Sequence, residues 1–183
     1  MFYLQDRVGY KNKKFKIIKF ATMLYNSPNM GSGSLTLKND PRVLPFGSFL
    51  RKTKINELPQ ILNIIIGNLS IVGPRPQMQV DFEKYSVEFQ KKIYNVRPGL
   101  TGIGSIIFRD EESLISVASE NENPHEFYKR VIAPYKGELE MWYQSNRSFL
   151  LDLQLIFMTA WVILVPTSKL YEKWFKDLPK RSF

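Results

Sequence analysis

Two arginines, one carboxylate and one helix start fall between Arg51 and Pro76. The stretch reads Arg51-Lys-Thr-Lys-Ile-Asn-Glu-Leu-Pro-Gln60, then Asn68-Leu-Ser-Ile-Val-Gly-Pro-Arg-Pro76. A second basic turn, Val96-Arg-Pro-Gly-Leu-Thr-Gly102, follows it. A guanidinium fork matches phosphate oxygens two at a time, so Arg51, Arg75 and Arg97 could together grip a diphosphate. Arg75 and Arg97 each precede a proline, which restrains the backbone and lowers the cost of holding the side chain ready. Asn56 reads as a helix N-cap, with Glu57 at the first helical position and Pro59 still in the first turn. The free amides of that turn suit an anion. Glu57 could coordinate Mg²⁺, act as a base or attack phosphorus itself. It could equally be an ordinary first-turn acid favoured by the helix dipole, and each arginine alone could be a surface ion pair. No Walker loop and no Gly-rich dinucleotide fingerprint is present.

The elements that must hold these residues follow from the pattern. Phe2–Val8 and Lys14–Phe20 read as strands around a turn at Gly9–Lys13, a basic hairpin. Asn26–Ser34 has the composition of a mobile loop, and Asn39–Arg42 that of a turn. The helix after Asn56 runs to Ile66 and stops at Gly67. Its sides are apolar apart from Gln60 and Asn63, which predicts a buried helix. Gly73–Pro76, with Pro74 and Pro76, forms a stiff turn. Asp81–Asn95 reads as one helix with Phe82, Tyr85, Phe89 and Ile93 on its inner face. Ser113–Ala118, Glu126–Ile132 and Gly137–Ser145 read as further helical pieces. Phe149–Val165 reads as a helix that Pro166 ends. Asp152, Gln154 and Trp161 suit it to an interface. In the tail, Leu170, Trp174, Phe175 and Leu178 would share a helical face ringed by Lys169, Lys173 and Lys176, a pattern that fits a membrane surface or packing on the core.

Composition narrows the class. At 183 residues, 44% hydrophobic and 14% aromatic, the chain is long and apolar enough for one folded domain. The absence of cysteine excludes disulfides, thiolate metal sites and cysteine nucleophiles. The single histidine, His125, lies in a polar acidic stretch and reads as a surface loop residue. The net charge of +9 resides entirely in residues 1–54, so an anionic partner is expected. No nucleic-acid-binding motif accompanies that charge, and the reading is of no nucleic-acid partner. Neither a secretory leader nor an uninterrupted apolar span of about 20 residues is seen.

In these motifs the sequence resembles the bacterial sugar transferase family, the monotopic polyprenol-phosphate phosphoglycosyl transferases. The likeness rests on Gln5-Asp-Arg-Val-Gly9, Phe15–Met23, Asn39-Asp-Pro-Arg42, Leu50-Arg51, Asn56-Glu-Leu-Pro-Gln60, Gly67–Pro76, Val96–Gly102 and Leu151-Asp152, in that order along nearly the whole chain. It implies an α+β, helix-rich globular domain over 1–183 with amphipathic helices at a membrane surface. It implies transfer of a phospho-sugar from a UDP-sugar to a polyprenol phosphate such as undecaprenyl phosphate, with Mg²⁺, at the cytoplasmic face of a bacterial inner membrane. It marks Glu57 and Asn56 as catalytic positions and Glu57 as a metal ligand. Arg51, Arg75, Arg97, Lys19, Thr22, Pro74 and Pro76 are the corresponding substrate-binding positions, and a homo-oligomer is possible. The sequence departs from the family pattern at Asn56, where an aspartate nucleophile is usual, at Ala21, where a basic residue is usual, and at Glu140, where an aspartate is frequent. The re-entrant apolar hairpin that precedes this region in the family is expected to be lacking. With Asn56 at the nucleophile position, the alternative is a non-catalytic membrane-associated homologue that binds nucleotide sugar or partner enzymes.

Overall fold

A computed structural model describes residues 1–175 and 177–183. It is α+β and helix-rich. Strands β1 (Phe2–Val8) and β2 (Lys14–Phe20) pair antiparallel, with Arg7 opposite Phe15 and Tyr3 opposite Lys19. Lys11 and Asn12 close the hairpin with positive φ. Helix α1 (Pro45–Lys52), α2 (Gln60–Ile66) and strand β3 (Ser70–Val72) follow. Then come α3 (Gln79–Phe82), α4 (Val87–Lys92), strand β4 (Gly99–Thr101) and α5 (Ile103–Ile107). The chain continues through α6 (Glu111–Ala118), α7 (Pro124–Phe127), α8 (Ala133–Asn146), α9 (Phe149–Leu164) and α10 (Leu170–Trp174).

The core lies among α5, α8 and α9. Ile103, Leu139, Leu155 and Met158 are fully buried there. On α9 the inward residues are Leu151, Leu155, Met158 and Val162, a helical stripe. Phe149, Leu150, Leu153, Phe157 and Leu164 of the same helix are exposed.

Helix α2 inverts the sequence expectation. Its buried residues are Gln60 and Asn63, while Ile61, Leu62, Ile65 and Ile66 are exposed. The cause is the open edge of β2. Asn63 Nδ2 donates to the Lys16 carbonyl at 2.9 Å, and the Ile18 N–H donates to Asn63 Oδ1 at 3.0 Å. One amide side chain thus takes the place of a neighbouring strand, since an edge donor and acceptor left unpaired in a covered position are costly.

Three other elements differ from the pattern-based reading. The stretch 81–95 is broken rather than one helix: Ser86 caps α4 by accepting from the Phe89 N–H, and Ile93–Asn95 tightens to a 3₁₀ turn. Phe82, Tyr85 and Ile93 are buried all the same. The loop at Asn26–Ser34 is pinned, because the buried Arg42 guanidinium donates to the carbonyls of Ser27, Met30, Gly33 and Leu35 while pairing with Asp40. In the tail, α10 stops at Trp174; Phe175 is buried against Trp142, and Trp174 stacks on Phe157. Lys176 lies outside the described residues. A Tyr128–Ile132 π-helical turn leads into α8, where Pro134 cannot donate a backbone hydrogen bond.

Replacing Asn63 with alanine should cost about 2–3 kcal/mol, the price of two buried backbone groups losing their partner. Urea denaturation of wild type and Asn63→Ala measures it; equal stability would contradict the strand-edge role.

Candidate active site

Short strands β3 and β4 pair in parallel, Ser70 with Gly99 and Val72 with Thr101. This pairing brings the two basic turns together. The Gly73 N–H donates to the Thr101 carbonyl, and the Gly99 N–H to the Pro74 carbonyl, both at 2.9 Å. A side chain on Gly73, Gly99 or Gly102 would overlap the facing backbone, so the crossing demands glycine at all three. Tyr94, buried at 1% exposure, fixes the next peptide. Its hydroxyl donates to the Arg75 carbonyl at 2.8 Å and accepts from the Gln77 N–H at 2.9 Å.

Arg75 then reaches Glu57, Nη2 to Oε1 at 3.4 Å. Burial pushes the Glu57 carboxyl up, but Arg75, followed by Lys19 and Lys54, outweighs it and holds the group down at about 2. Glu57 is therefore ionised across the physiological range.

The hairpin supplies further cations. Alternation along β1 and β2 turns Gln5, Arg7, Ile17 and Lys19 toward this site. Arg7 donates through Nε and Nη2 to Gln5 Oε1 and through Nη1 to the Pro76 carbonyl. Arg7, Lys19, Gln60, Arg75 and Pro76 border a cavity of about 10 Å³, room for roughly one water. Burial lowers Arg7 to about 10, with Arg75 adding repulsion. Burial and then Arg7 lower the Lys19 ammonium well below its usual range. Glu57 is thus flanked by Arg75, Lys19 and Lys54, and Arg7 crowds Arg75 and Lys19.

The remaining expected residues fall out differently. Asn56 is not a helix cap. Lys54 adopts φ 61°, and Ile55–Glu57 forms a separate 3₁₀ turn before α2. Pro59 lacks an amide and divides the two. The Glu57 and Leu58 N–H groups are spent on the Lys54 and Ile55 carbonyls, so Glu57 does not open a helix whose free amides could cradle an anion. Asn56 is 7% exposed and its Oδ1 has no partner. Arg51 pairs with Glu112 at the rim. Arg97 is exposed and makes no ion pair among the described residues; its backbone carbonyl, not its side chain, meets Gly73. Thr22 is buried, its carbonyl accepting from the Leu44 N–H and abutting Gly47. His125 belongs to α7, where its ring lies between Lys84 Nζ at 2.8 Å and the Ser32 carbonyl at 3.2 Å. The motif-based site reading omitted Arg7 and Gln60. Only the strand alternation, which puts Arg7 on the Lys19 face, signals the first.

No group of three His, Asp or Glu side chains capable of holding a metal exists among the described residues. Glu57 and the unpartnered Asn56 Oδ1 supply two hard oxygen donors. Mg²⁺ commonly takes one or two carboxylates and completes its shell with phosphate oxygens and water, so the pair suits it together with a bound phosphate.

A profile of the bacterial sugar transferase family matches residues 1–166, and the chain belongs to that family. It is 34% identical over 165 residues to the uncharacterized sugar transferase EpsL of Bacillus subtilis, covering 90% of this chain and 70% of that one. It is 31% identical over 176 residues to the UDP-galactose-lipid carrier transferase of Erwinia amylovora, covering 88% of this chain and 33% of that protein. The same identity, length and coverage hold for the undecaprenyl-phosphate galactose phosphotransferase of Salmonella typhimurium. The chain thus spans about one third of the length of the latter two relatives.

Pyrophosphate binding, read by calorimetry, should weaken at least about tenfold in Arg75→Ala through loss of a charge-assisted contact, whereas Arg97→Ala stays within about twofold. The reverse ranking would contradict the assignment of the cationic centre.

Proposed function

We propose that this chain transfers a sugar 1-phosphate from a UDP-sugar to undecaprenyl phosphate, initiating surface polysaccharide or glycan assembly. The observation that carries this reading is the single carboxylate Glu57 held among Arg75, Lys19 and Arg7. The surplus positive charge calls for an anion, and the cavity it borders is too small to enclose one, so the diphosphate sits at its mouth. Arg75 grips phosphate oxygens, and Arg7 and Lys19 back it. Charge that builds on the departing UMP phosphate is met by groups already oriented. The arriving diphosphate also draws on the cations that hold Glu57 down, so Glu57 gains basicity when substrate is in place. With an amide at position 56, Glu57 is the carboxylate left to attack the sugar-bearing phosphorus; the bond to UMP breaks, and a phosphate oxygen of undecaprenyl phosphate then displaces Glu57 from the phospho-sugar and frees the carboxylate. Mg²⁺, when bound, would be held by Glu57 and Asn56 Oδ1 and would neutralise phosphate charge.

Asn56 also favours a second reading, a non-catalytic homologue that binds nucleotide sugar or partner enzymes. UMP release from a UDP-sugar panel, with undecaprenyl phosphate and Mg²⁺, separates the two. The transferase reading expects turnover by the wild type, reduced at least about a hundredfold in Glu57→Gln. UDP-sugar binding without any UMP release, with turnover gained in Asn56→Asp, would establish the accessory reading instead.

The site works at a membrane surface in this proposal, on the cytoplasmic face of a bacterial inner membrane, as a peripheral or monotopic protein. Among the described residues no helix is long and apolar enough to cross a membrane. Exposed apolar side chains are instead concentrated on Phe46 and Phe49 of α1, Leu58, Ile61, Leu62, Ile65 and Ile66 in and before α2, and the outer side of α9. Single exposed apolar residues are ordinary, but a seven-residue helix, α2, with four exposed Ile and Leu side chains is the mark of an interface with lipid or protein. In vesicle flotation, the double variant Ile65→Asp/Ile66→Asp should lower the partition coefficient at least about tenfold, given the transfer energy of two isoleucines. Unchanged flotation would remove α2 from the lipid contact.

A further inference from the structure

Beyond α9 the chain folds back along α5, α8 and α9 and borders a groove of about 770 Å³. Specific contacts fix this returning segment. Trp161 Nε1 donates to Ser168 Oγ at 2.8 Å, and the Leu170 N–H donates to the same oxygen at 3.3 Å. Tyr135 Oη donates to the Pro179 carbonyl at 2.9 Å. Arg181 donates twice to Asp110, at 2.8 and 3.0 Å, and its guanidinium lies over the rings of Phe108 and Phe183. Phe175 packs edge-on against Trp142. A pre-formed groove of this volume falls within the range of small-molecule sites. The family profile stops at residue 166, so the returning segment adds this wall to the shared domain.

The groove has two parts of different chemistry. Its floor is apolar: Ile106 and Ile107 of α5, Val162 of α9, and Phe175 and Leu178 of the returning segment. Its rim carries Arg109, Lys169, Lys180 and Arg181 against Asp110 and Glu172. Arg181 and Asp110 neutralise each other. Among the described residues Arg109, Lys169 and Lys180 have no ion-pair partner, so three cations share the rim with one uncommitted carboxylate, Glu172. The groove reaches Pro166 and Thr167, directly after the exposed Leu164 and Val165 at the end of α9. It is thus continuous with the apolar outer side of that helix.

These features discriminate between ligand classes. A nucleoside would need a free aromatic face on which to stack. Phe183 is already covered by Arg181 and by the edge of Tyr135, and Phe175 by Trp142. Ser168 Oγ, a candidate partner for a base edge, is engaged twice. An anionic amphiphile needs instead an apolar floor with unpaired cations at its edge, and basic pockets beside a bilayer take lipid headgroups on that basis.

We infer that this groove is a binding site for a single anionic phospholipid of the bilayer. Arg109, Lys169 and Lys180 hold its phosphate, and its acyl chains lie along the floor, entering past Leu164 and Val165. The site uses none of the residues assigned to the transfer reaction. It also differs from a general apolar contact surface in binding one lipid and in selecting for charge.

Calorimetry of the whole chain with dihexanoyl phosphatidylglycerol, kept below its micelle concentration, tests this. Binding should saturate at one lipid per chain. Dihexanoyl phosphatidylcholine, with the same chains and no net charge, and glycerol 3-phosphate, with the phosphate and no chains, should each bind at least about tenfold more weakly. The double variant Arg109→Ala/Lys169→Ala should weaken phosphatidylglycerol binding at least about tenfold and leave phosphatidylcholine within about twofold. Leu178→Gln should weaken phosphatidylglycerol about tenfold through the floor alone. Equal affinity for the two lipids, glycerol 3-phosphate as tight as phosphatidylglycerol, or no saturable lipid binding would each overturn the inference. UDP that competes with phosphatidylglycerol would overturn it too, by making the groove a nucleotide site. The lipid is monomeric in this experiment, so its outcome is separate from vesicle flotation, which reads the proposed surface contact of α2.

Discussion

The Glu57 carboxylate sits among more positive charge than it can neutralise, and the rest of the molecule is arranged around that imbalance. Arg75 alone would make an ordinary ion pair. With Arg7 and Lys19 crowded onto the same centre, each depressed by burial and by its neighbours, the site holds cations that repel one another until an anion arrives. In the proposed function such preorganised charge costs folding energy and returns it when the diphosphate binds. The hairpin, the β3–β4 pair and α2 each hold part of it. Asn63 ties α2 to the hairpin edge, the three-glycine crossing fixes the turn that bears Arg75, and Tyr94 locks its peptide.

The same arrangement explains why α2 faces the wrong way for a core helix. Its polar residues are committed inward, Asn63 to the β2 edge and Gln60 to the cationic cavity. Its isoleucines have nowhere to go but out. An apolar outer surface beside the proposed phosphate-binding centre suits a protein whose proposed acceptor is an amphipathic lipid, with its phosphate in water and its chain in the bilayer.

Much of this was legible in the sequence, and the parts that were not share a cause. The hairpin strands, α9 and the family likeness follow from alternation, helical periodicity and ordered short motifs, which are local signals. Arg75 and Glu57 were marked by the stiff Pro-Arg-Pro turn and the Asn-Glu-Leu-Pro run, and the structure places them together. The burial of Asn63 was invisible, because it depends on a strand edge 45 residues away in sequence. Arg97 was marked by the same Arg-Pro logic as Arg75, yet its turn contributes backbone to the crossing and leaves its side chain outside. Pro59 misled the reading of the helix start: tolerated in a first turn, it here separates a 3₁₀ turn from α2 and leaves Asn56 without a capping role. Glu140 stood out in sequence only as an unusual acid, because its burial against Gly104 of α5 is made by the fold.

A crystal structure of the protein with UDP tests the central claim most directly. Both phosphate groups should lie at the mouth of the cavity, one within hydrogen-bond distance of Arg75 and the pair flanked by Lys19 and Arg7. Phosphates bound away from these three side chains, for instance at Arg97, would contradict the account.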